Sequence, residues 1–300
     1  MQRSITQVLR SNSTQRAAVL ALCSALAAST GCADIDVDAD VDLPLSLSGE
    51  RAFPGEHGVE RRATVTIGGQ AESVTLEHVH NHLVLEGDIL IGELPEGSSD
   101  EVTDTAVDEV AARSSRTALW PNGRVPYVIA GDLPSPQRVR DAIAHWHDRT
   151  GIRLVQRTTE RDYVAFVVGS GCSSYVGRIG GRQAINLASG CLVGQVIHEI
   201  GHAIGLYHEQ SRSDRDRFVR INTANIKSGA AGNFQTYRQS NRDGQDIGSY
   251  DLGSIMHYGS YFFSRNGRPT IVTLSGGIID ANRNRLSASD VAGVARLYAR

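Results

Sequence analysis

Lysine is nearly absent. Of the 30 basic residues Lys227 is the only lysine, and arginine carries the rest. No dense basic run and no recognisable nucleic-acid motif accompanies the arginines, so no nucleic-acid partner is expected. Long apolar runs are missing too. The most extended, "AAVLALCSALAA" at 17–28, has 12 apolar or small residues, too few to cross a bilayer comfortably. It follows Arg3, Arg10 and Arg16 and fits the h-region of an export signal, giving a signal segment at 1–32. It leads into "STGC". The glycine before Cys32 suits a bacterial lipoprotein cleavage site with Cys32 as the lipid-anchored first residue, although Ser29 stands where leucine is preferred. An ordinary cut near Ala28 or Gly31 is the alternative. The expected location is outside the cytoplasm, secreted or on the outer surface of a bacterium. The sequence also lacks internal repeats and any serine or cysteine nucleophile arrangement.

Cysteine is scarce, with 4 in the chain. Cys23 lies inside the export run and Cys32 ends it, which leaves Cys172 and Cys191. In an exported protein a leftover pair favours a disulfide over two free thiols. Such a loop of roughly 20 residues is worth about 3 kcal/mol. The net charge of −3 hides an asymmetry. Residues 1–110 carry 6 basic and 19 acidic side chains, a net of −13, and residues 111–300 carry 24 and 14, a net of +10. Segments of opposite sign attract; the plainer reading is a solvated acidic leader.

The length suits one large domain and a smaller segment. Residues 33–50, "ADIDVDADVDLPLSLSGE", read as an acidic, disordered tether. Residues 62–92 alternate with period 2 and predict short strands. Residues 93–118 read as a linker with cleavable Arg113 and Arg116. A strand is expected at Tyr127–Ala130. Val139, Ile143 and Trp146 then mark one helical face, with Ser135 as candidate cap and Gly151 as candidate stop. "IRLVQR", "YVAFVVG" and "RQAINLA" read as strands. A helix starts near Cys191, and "LSASDVAGVARLYAR" closes the chain as a helix with Ser287 and Asp290 approximating a capping box. Strands and helices mix without βαβ regularity, which predicts an α+β fold.

The chemistry concentrates in "VIHEIGHAIGLYHEQ" at 196–210. His198, Glu199 and His202 form H-E-x-x-H. On a helix, residues at i and i+4 share a face, about 6 Å apart, so both imidazoles can reach one zinc. Glu199, one step around, can instead take a proton from a water at the metal. A helix with two buried, hydrogen-bonded core histidines is the alternative. The continuation favours the metal: Gly205 can adopt φ > 0, stop the helix and return the chain so that His208 supplies a third ligand. Three protein ligands with one open position is the catalytic pattern.

"HEIGHAIGLYHE" resembles the extended metzincin zinc motif, and the glutamate after the third histidine resembles the astacin family. "SIMHYG" at 254–259 resembles the Met-turn of that family. "LWPNGRVPYVI", "CSSYVGRIGGRQAINLASGC", "NFQTY" and "YDLGSIMHYG" follow in family order over roughly 119–300. The resemblance implies a two-lobed metzincin-like domain at 111–300. Its N-terminal lobe would hold a twisted mixed sheet and two long helices, and its mostly irregular C-terminal lobe would end in a helix. It implies a Zn2+ held by His198, His202 and His208, Glu199 as the base, and Met256 below the metal. It also implies Tyr258 as an additional ligand that swings to the oxyanion, and it supports the Cys172–Cys191 pairing. It further implies that a new amino terminus, here at Ala111, approaches Glu209; a surface charge is the alternative for Glu209. The chain departs from many family members in lacking cysteines for a second disulfide, so the C-terminal lobe is expected to hold by packing alone.

"LVLEGDILIGE" resembles the "FEGDI" segment of astacin propeptides, which implies that residues 33–110 are an acidic propeptide. Asp88 would bind the zinc in the latent state, with Gly87 allowing close approach. "HVHNH" matches no family role. On one strand His78, His80 and His82 would face one side, as a solvated face or a weak metal site. Taken together, the reading is an exported zinc endopeptidase made as a zymogen. Its partners are protein or peptide substrates and its own propeptide as inhibitor, with Cys32 as a candidate lipid anchor and a monomeric state. An inactive zinc-containing surface module, or a structural lipoprotein with core histidines, are the alternatives.

Overall fold

The computed structural model describes residues 51–54, 58–67, 70–80, 82–93, 119–240, 242 and 244–299. The export signal with Cys32, the acidic tether, and the linker with Ala111, Arg113 and Arg116 lie outside them. The alternating leader sequence forms an antiparallel meander: β1 (Val59–Ile67), β2 (Gln70–Val79), β3 (His82–Leu85) and β4 (Ile89–Glu93). Next come β5 (Arg124–Ile129), α1 (Gln137–Arg149), β6 (Arg153–Gln156), β7 (Tyr163–Val168), β8 (Cys172–Tyr175), β9 (Arg182–Leu187) and α2 (Val193–Ala203). These strands make one nine-stranded sheet in the order β1-β2-β3-β4-β8-β9-β7-β5-β6. β5, β6, β7 and β9 run parallel, and β8 is antiparallel to β9. β4 joins β8 in parallel, Ile89 opposite Ser174 and Leu90 opposite Tyr175. The leader therefore extends the downstream sheet and covers the β8 edge, whose unpaired backbone groups would otherwise face outward.

α1 buries Val139, Ala142, Ile143 and Trp146, the i, i+3, i+4, i+7 stripe that the sequence pattern demands. They pack with Phe166 and Ile185 from the sheet and Ile197 and Ile200 from α2. The Trp146 indole donates to Ile197 O at 3.1 Å, so this fully buried side chain leaves no N–H bare. Ser135 does not cap α1 with its side chain. Pro136 holds the cap position, and the Ser135 carbonyl accepts from Arg138 N at 3.2 Å. The helix ends at Thr150, whose Oγ1 donates to Trp146 O, one residue before Gly151.

Beyond α2 the chain is largely irregular. β10 (Val219–Ile221) pairs antiparallel with β11 (Ile271–Thr273), and α3 (Ala288–Tyr298) closes the fold. This lobe has its own apolar cluster, including Phe234, Tyr258, Phe262 and Ile271. It does not hold by packing alone. The Tyr298 hydroxyl donates to Ile204 O at 2.8 Å, tying α3 to the end of α2. Asp290, which forms a capping box with Ser287, also accepts from Ser254 Oγ at 2.7 Å and Ile255 N at 3.0 Å. Cys172 and Cys191 are joined by a disulfide with Cα atoms 6.0 Å apart, fixing β8 to the entrance of α2.

The three leader histidines do not share a strand face. His78 is buried on β2, His80 sits in the turn at φ 53°, and His82 starts β3. A left-handed residue in the β2–β3 connection reverses the chain there, and the Phe53 ring packs at 5.7 Å from His80 and 5.0 Å from His82.

Candidate metal centre

α2 is buried from Gly194 through Ala203, and His198, Glu199 and His202 each have 0% exposure. Helical spacing puts the His198 and His202 rings 4.7 Å apart, nearly perpendicular. Gly205 has φ 109°, a conformation that side chains rarely adopt. Gly205 N donates to His202 O and Leu206 N to Gly201 O, which closes the helix. The chain then returns, and the His208 ring lies 4.6 Å from that of His202 and 5.3 Å from that of His198.

The outer nitrogens of the three rings are tied down. His198 Nδ1 donates to Ile255 O at 2.8 Å and His202 Nδ1 to Leu206 O at 2.7 Å. His208 Nδ1 donates to the Glu86 carboxylate at 2.6 Å. Carbonyl and carboxylate oxygens only accept, so each Nδ1 carries a proton and each Nε2 faces inward. The Nε2 atoms of His198 and His202 stand 3.1 Å apart. Asp88 Oδ2 lies 3.2 Å from His198 Nε2 and 3.3 Å from His208 Nε2. Donors at about 2.0–2.1 Å from a tetrahedral zinc stand about 3.3–3.4 Å apart. The spacing of these buried atoms fits a zinc ion between them.

Burial and neighbouring charge act differently on the His202 and His208 rings. Burial keeps the His202 ring neutral, well below its ordinary range. Burial also opposes charge on His208, but the Asp88 and Glu86 carboxylates outweigh it and push that ring up to about 9. Asp88 itself is held below the usual carboxylate range, because the adjoining histidines outweigh its desolvation. Asp88, His198, His202 and His208 are the group among the described residues that could hold a metal ion.

Supports surround this cluster. Met256 lies under α2, where a Cβ added to Gly201 would meet its Sδ at 2.7 Å, so the close approach requires glycine. His257 is buried and neutral, its acid pushed down to about 4 by desolvation. It accepts from the Tyr250 hydroxyl and donates to Tyr258 O, each at 2.7 Å, which fixes the turn. Tyr258 packs 4.8 Å from the His208 ring, and its hydroxyl donates to Glu86 O at 2.6 Å. With the leader in place, that proton is committed to the leader backbone.

The family model for the astacin peptidases matches residues 112–299. The chain belongs to the astacin family. Blastula protease 10 of Paracentrotus lividus is 41% identical over 63% of this chain and 34% of its own length. Zinc metalloproteinase nas-15 of Caenorhabditis elegans is 39% identical over 62% of this chain and 33% of its own length. The chain thus spans about a third of the length of these two relatives. The structure of high choriolytic enzyme 1, a hatching enzyme zinc-protease of Oryzias latipes, is 35% identical with a TM-score of 0.55, covering 62% of this chain and 96% of that one. Zinc is the metal of this astacin site, and its mixed α+β architecture is the family's. No helix among the described residues is long and apolar enough to cross a membrane.

Two parts of this astacin site call for comment. Glu209 is mostly buried; its carboxylate accepts from Asp251 N at 2.8 Å and lies 3.5 Å from Arg212. Burial lifts its acid to about 7 despite Arg212. A cavity of about 550 Å³ opens beside it, lined by Leu119, Gly205, Asp251, Met256 and Asp290 among others. The partner expected for it, Ala111, lies outside the described residues. The second part is absent from the sequence reading. Glu86, fully buried, accepts from Ser211 Oγ at 2.6 Å and from Arg242 Nη2 as well as from His208. The only sequence signal for it was a glutamate inside "LEGD", two residues before Asp88.

Proposed function

We propose that this chain is a zinc metalloendopeptidase, exported and made latent by its own leader. The observation that carries the reading is the convergence of three Nε2 atoms and the Asp88 carboxylate, with every outer nitrogen anchored. His198, His202 and His208 hold the metal. Bound there, zinc supplies Lewis acidity toward a peptide carbonyl and a water. In the processed chain Glu199, buried in the same helix turn, takes a proton from the attacking water on its carboxylate and delivers it to the leaving amine. The Tyr258 hydroxyl, released from Glu86 O, donates to the developing oxyanion.

The leader acts as an intramolecular inhibitor in this reading. Asp88 holds the position a substrate would need, and β4 covers the β8 edge. Opposite charge on the two segments, −13 and +10, favours their association. Residues 1–32 serve as the export signal, with Cys32 as a lipid attachment point. Cleavage before Ala111 frees an amine that docks in the cavity beside Glu209, where a mostly buried carboxylate suits a cation. The test is a pair of processed proteins. Glu199→Ala should keep stoichiometric zinc and lose peptide hydrolysis by at least about 10²-fold. A wild-type protein that cleaves nothing across a broad peptide library would sink the reading.

A further inference from the structure

In the proposed reaction Tyr258 changes partner. Its hydroxyl donates to Glu86 O in the chain with the leader in place and to the oxyanion once the leader is gone. A side chain that changes partner turns about its main chain, so the hold on that main chain matters. Among the described residues neither the N–H nor the C=O of Tyr258 pairs with another backbone group. Side chains satisfy both. The carbonyl accepts from His257 Nδ1 at 2.7 Å, and the N–H donates to Gln210 Oε1 at 3.2 Å. His257 is the adjoining residue and belongs to the same turn. Gln210 comes from 48 residues away, on the segment that carries His208.

Gln210 reaches Tyr258 from a pinned main chain. Its own carbonyl accepts from Arg215 Nη1 at 3.0 Å. On either side of it Glu209 N donates to Met256 O at 3.0 Å, and Ser211 O accepts from Tyr237 N at 2.7 Å. The Gln210 side chain is 0% exposed, and its Nε2 has no hydrogen-bond partner among the described residues. A buried amide with a bare N–H group is unfavourable, and an apolar side chain of equal length would avoid that penalty. The bond to Tyr258 N is the one that its side chain makes among the described residues. We propose that Gln210 is a positioning residue for the oxyanion step. It fixes the main chain of Tyr258 against the His208 segment, so that the released hydroxyl meets the developing charge at one place. This role rests on the peptidase reading, and in it Gln210 acts through Tyr258 alone.

Two double-mutant cycles on the processed, zinc-loaded chain test it. Gln210→Met keeps the length of the side chain and removes the amide oxygen. It should lower kcat by about fivefold or more with KM within about twofold, because the donor acts in the transition state. In Tyr258→Phe the same change should move kcat by less than about twofold. Gln210→Glu, which keeps an oxygen for Tyr258 N, should recover part of kcat. The second cycle needs no turnover. Gln210→Met should weaken binding of a synthetic peptide of residues 82–93 by about threefold where Tyr258 is present, and leave it unchanged in Tyr258→Phe. Full kcat in Gln210→Met, equal losses with and without the Tyr258 hydroxyl, or loss of zinc on the methionine change overturns the positioning role. Absence of any cleavage by wild type, alongside coupling of Gln210 to Tyr258 in peptide binding, overturns the peptidase reading and leaves the positioning role standing.

Discussion

Replacing Asp88 by alanine should switch on the unprocessed chain. Asp88 is 1% exposed and sits 3.2 Å and 3.3 Å from two ring nitrogens of the metal cluster. Removing one partner from a buried charge pair costs about 3–5 kcal/mol. At about 1.4 kcal/mol per decade, the closed-to-open ratio of the leader falls by about two to three and a half decades. The leader is not lost altogether, because Glu86 keeps its three donors and β4 keeps its register on β8. The expected outcome is therefore a rise of at least about 10²-fold over unprocessed wild type, ending below the processed enzyme. The assay is the initial rate on a quenched fluorescent peptide at saturating zinc. Arg113→Gln and Arg116→Gln should be present to prevent trimming, with intact mass checked before and after. Asp88→Asn should give a smaller rise, since the amide keeps one oxygen donor. A rate within twofold of the unprocessed parent, with one zinc bound, would refute the assignment of Asp88 as the blocking group.

Other perturbations follow from the same geometry. Tyr258→Phe removes the 2.6 Å bond to Glu86 O. It should weaken the binding of a leader peptide by about 0.5–1.5 kcal/mol and lower kcat of the processed chain by about 10²-fold or more. Gly201→Ala drives a Cβ to 2.7 Å from Met256 Sδ; it should cost about 1–3 kcal/mol, read as a lower Tm. Replacing Cys172 and Cys191 together by serine should destabilise by about 3 kcal/mol in urea unfolding. Asp290→Ala leaves Ser254 Oγ and Ile255 N without their acceptor. It should cost about 2 kcal/mol or more and lower kcat/KM through the Met-turn, whereas Asp290→Asn should recover part of both.

Much of this site was legible because its information is local. Helical spacing alone places His198 and His202 together, and Gly205 can only be read as a helix stop because its φ of 109° excludes most side chains. Trp146 and its stripe predicted the α1 face for the same reason. What the sequence hid is non-local. Glu86 meets Ser211 and Arg242 across 125 and 156 residues, and no spacing rule connects them. Joining of the leader meander to β8 depends on backbone edge pairing, which neither the apolar β4 nor the serine-rich β8 announces. The histidines of "HVHNH" were misplaced because period-2 reasoning runs on through a turn that only the left-handed His80 betrays. Ser135 looked like a cap because Pro136, which suits a first helical turn, took the position itself.

The central claim is that one zinc serves a peptidase site which the leader keeps closed. The most direct measurement is peptide hydrolysis by the zinc-loaded chain before and after cleavage of the leader, with metal content determined on both samples. The account predicts one zinc per chain throughout, negligible turnover before cleavage and full turnover after it. Absence of bound zinc, or equal turnover in the two samples, would contradict it.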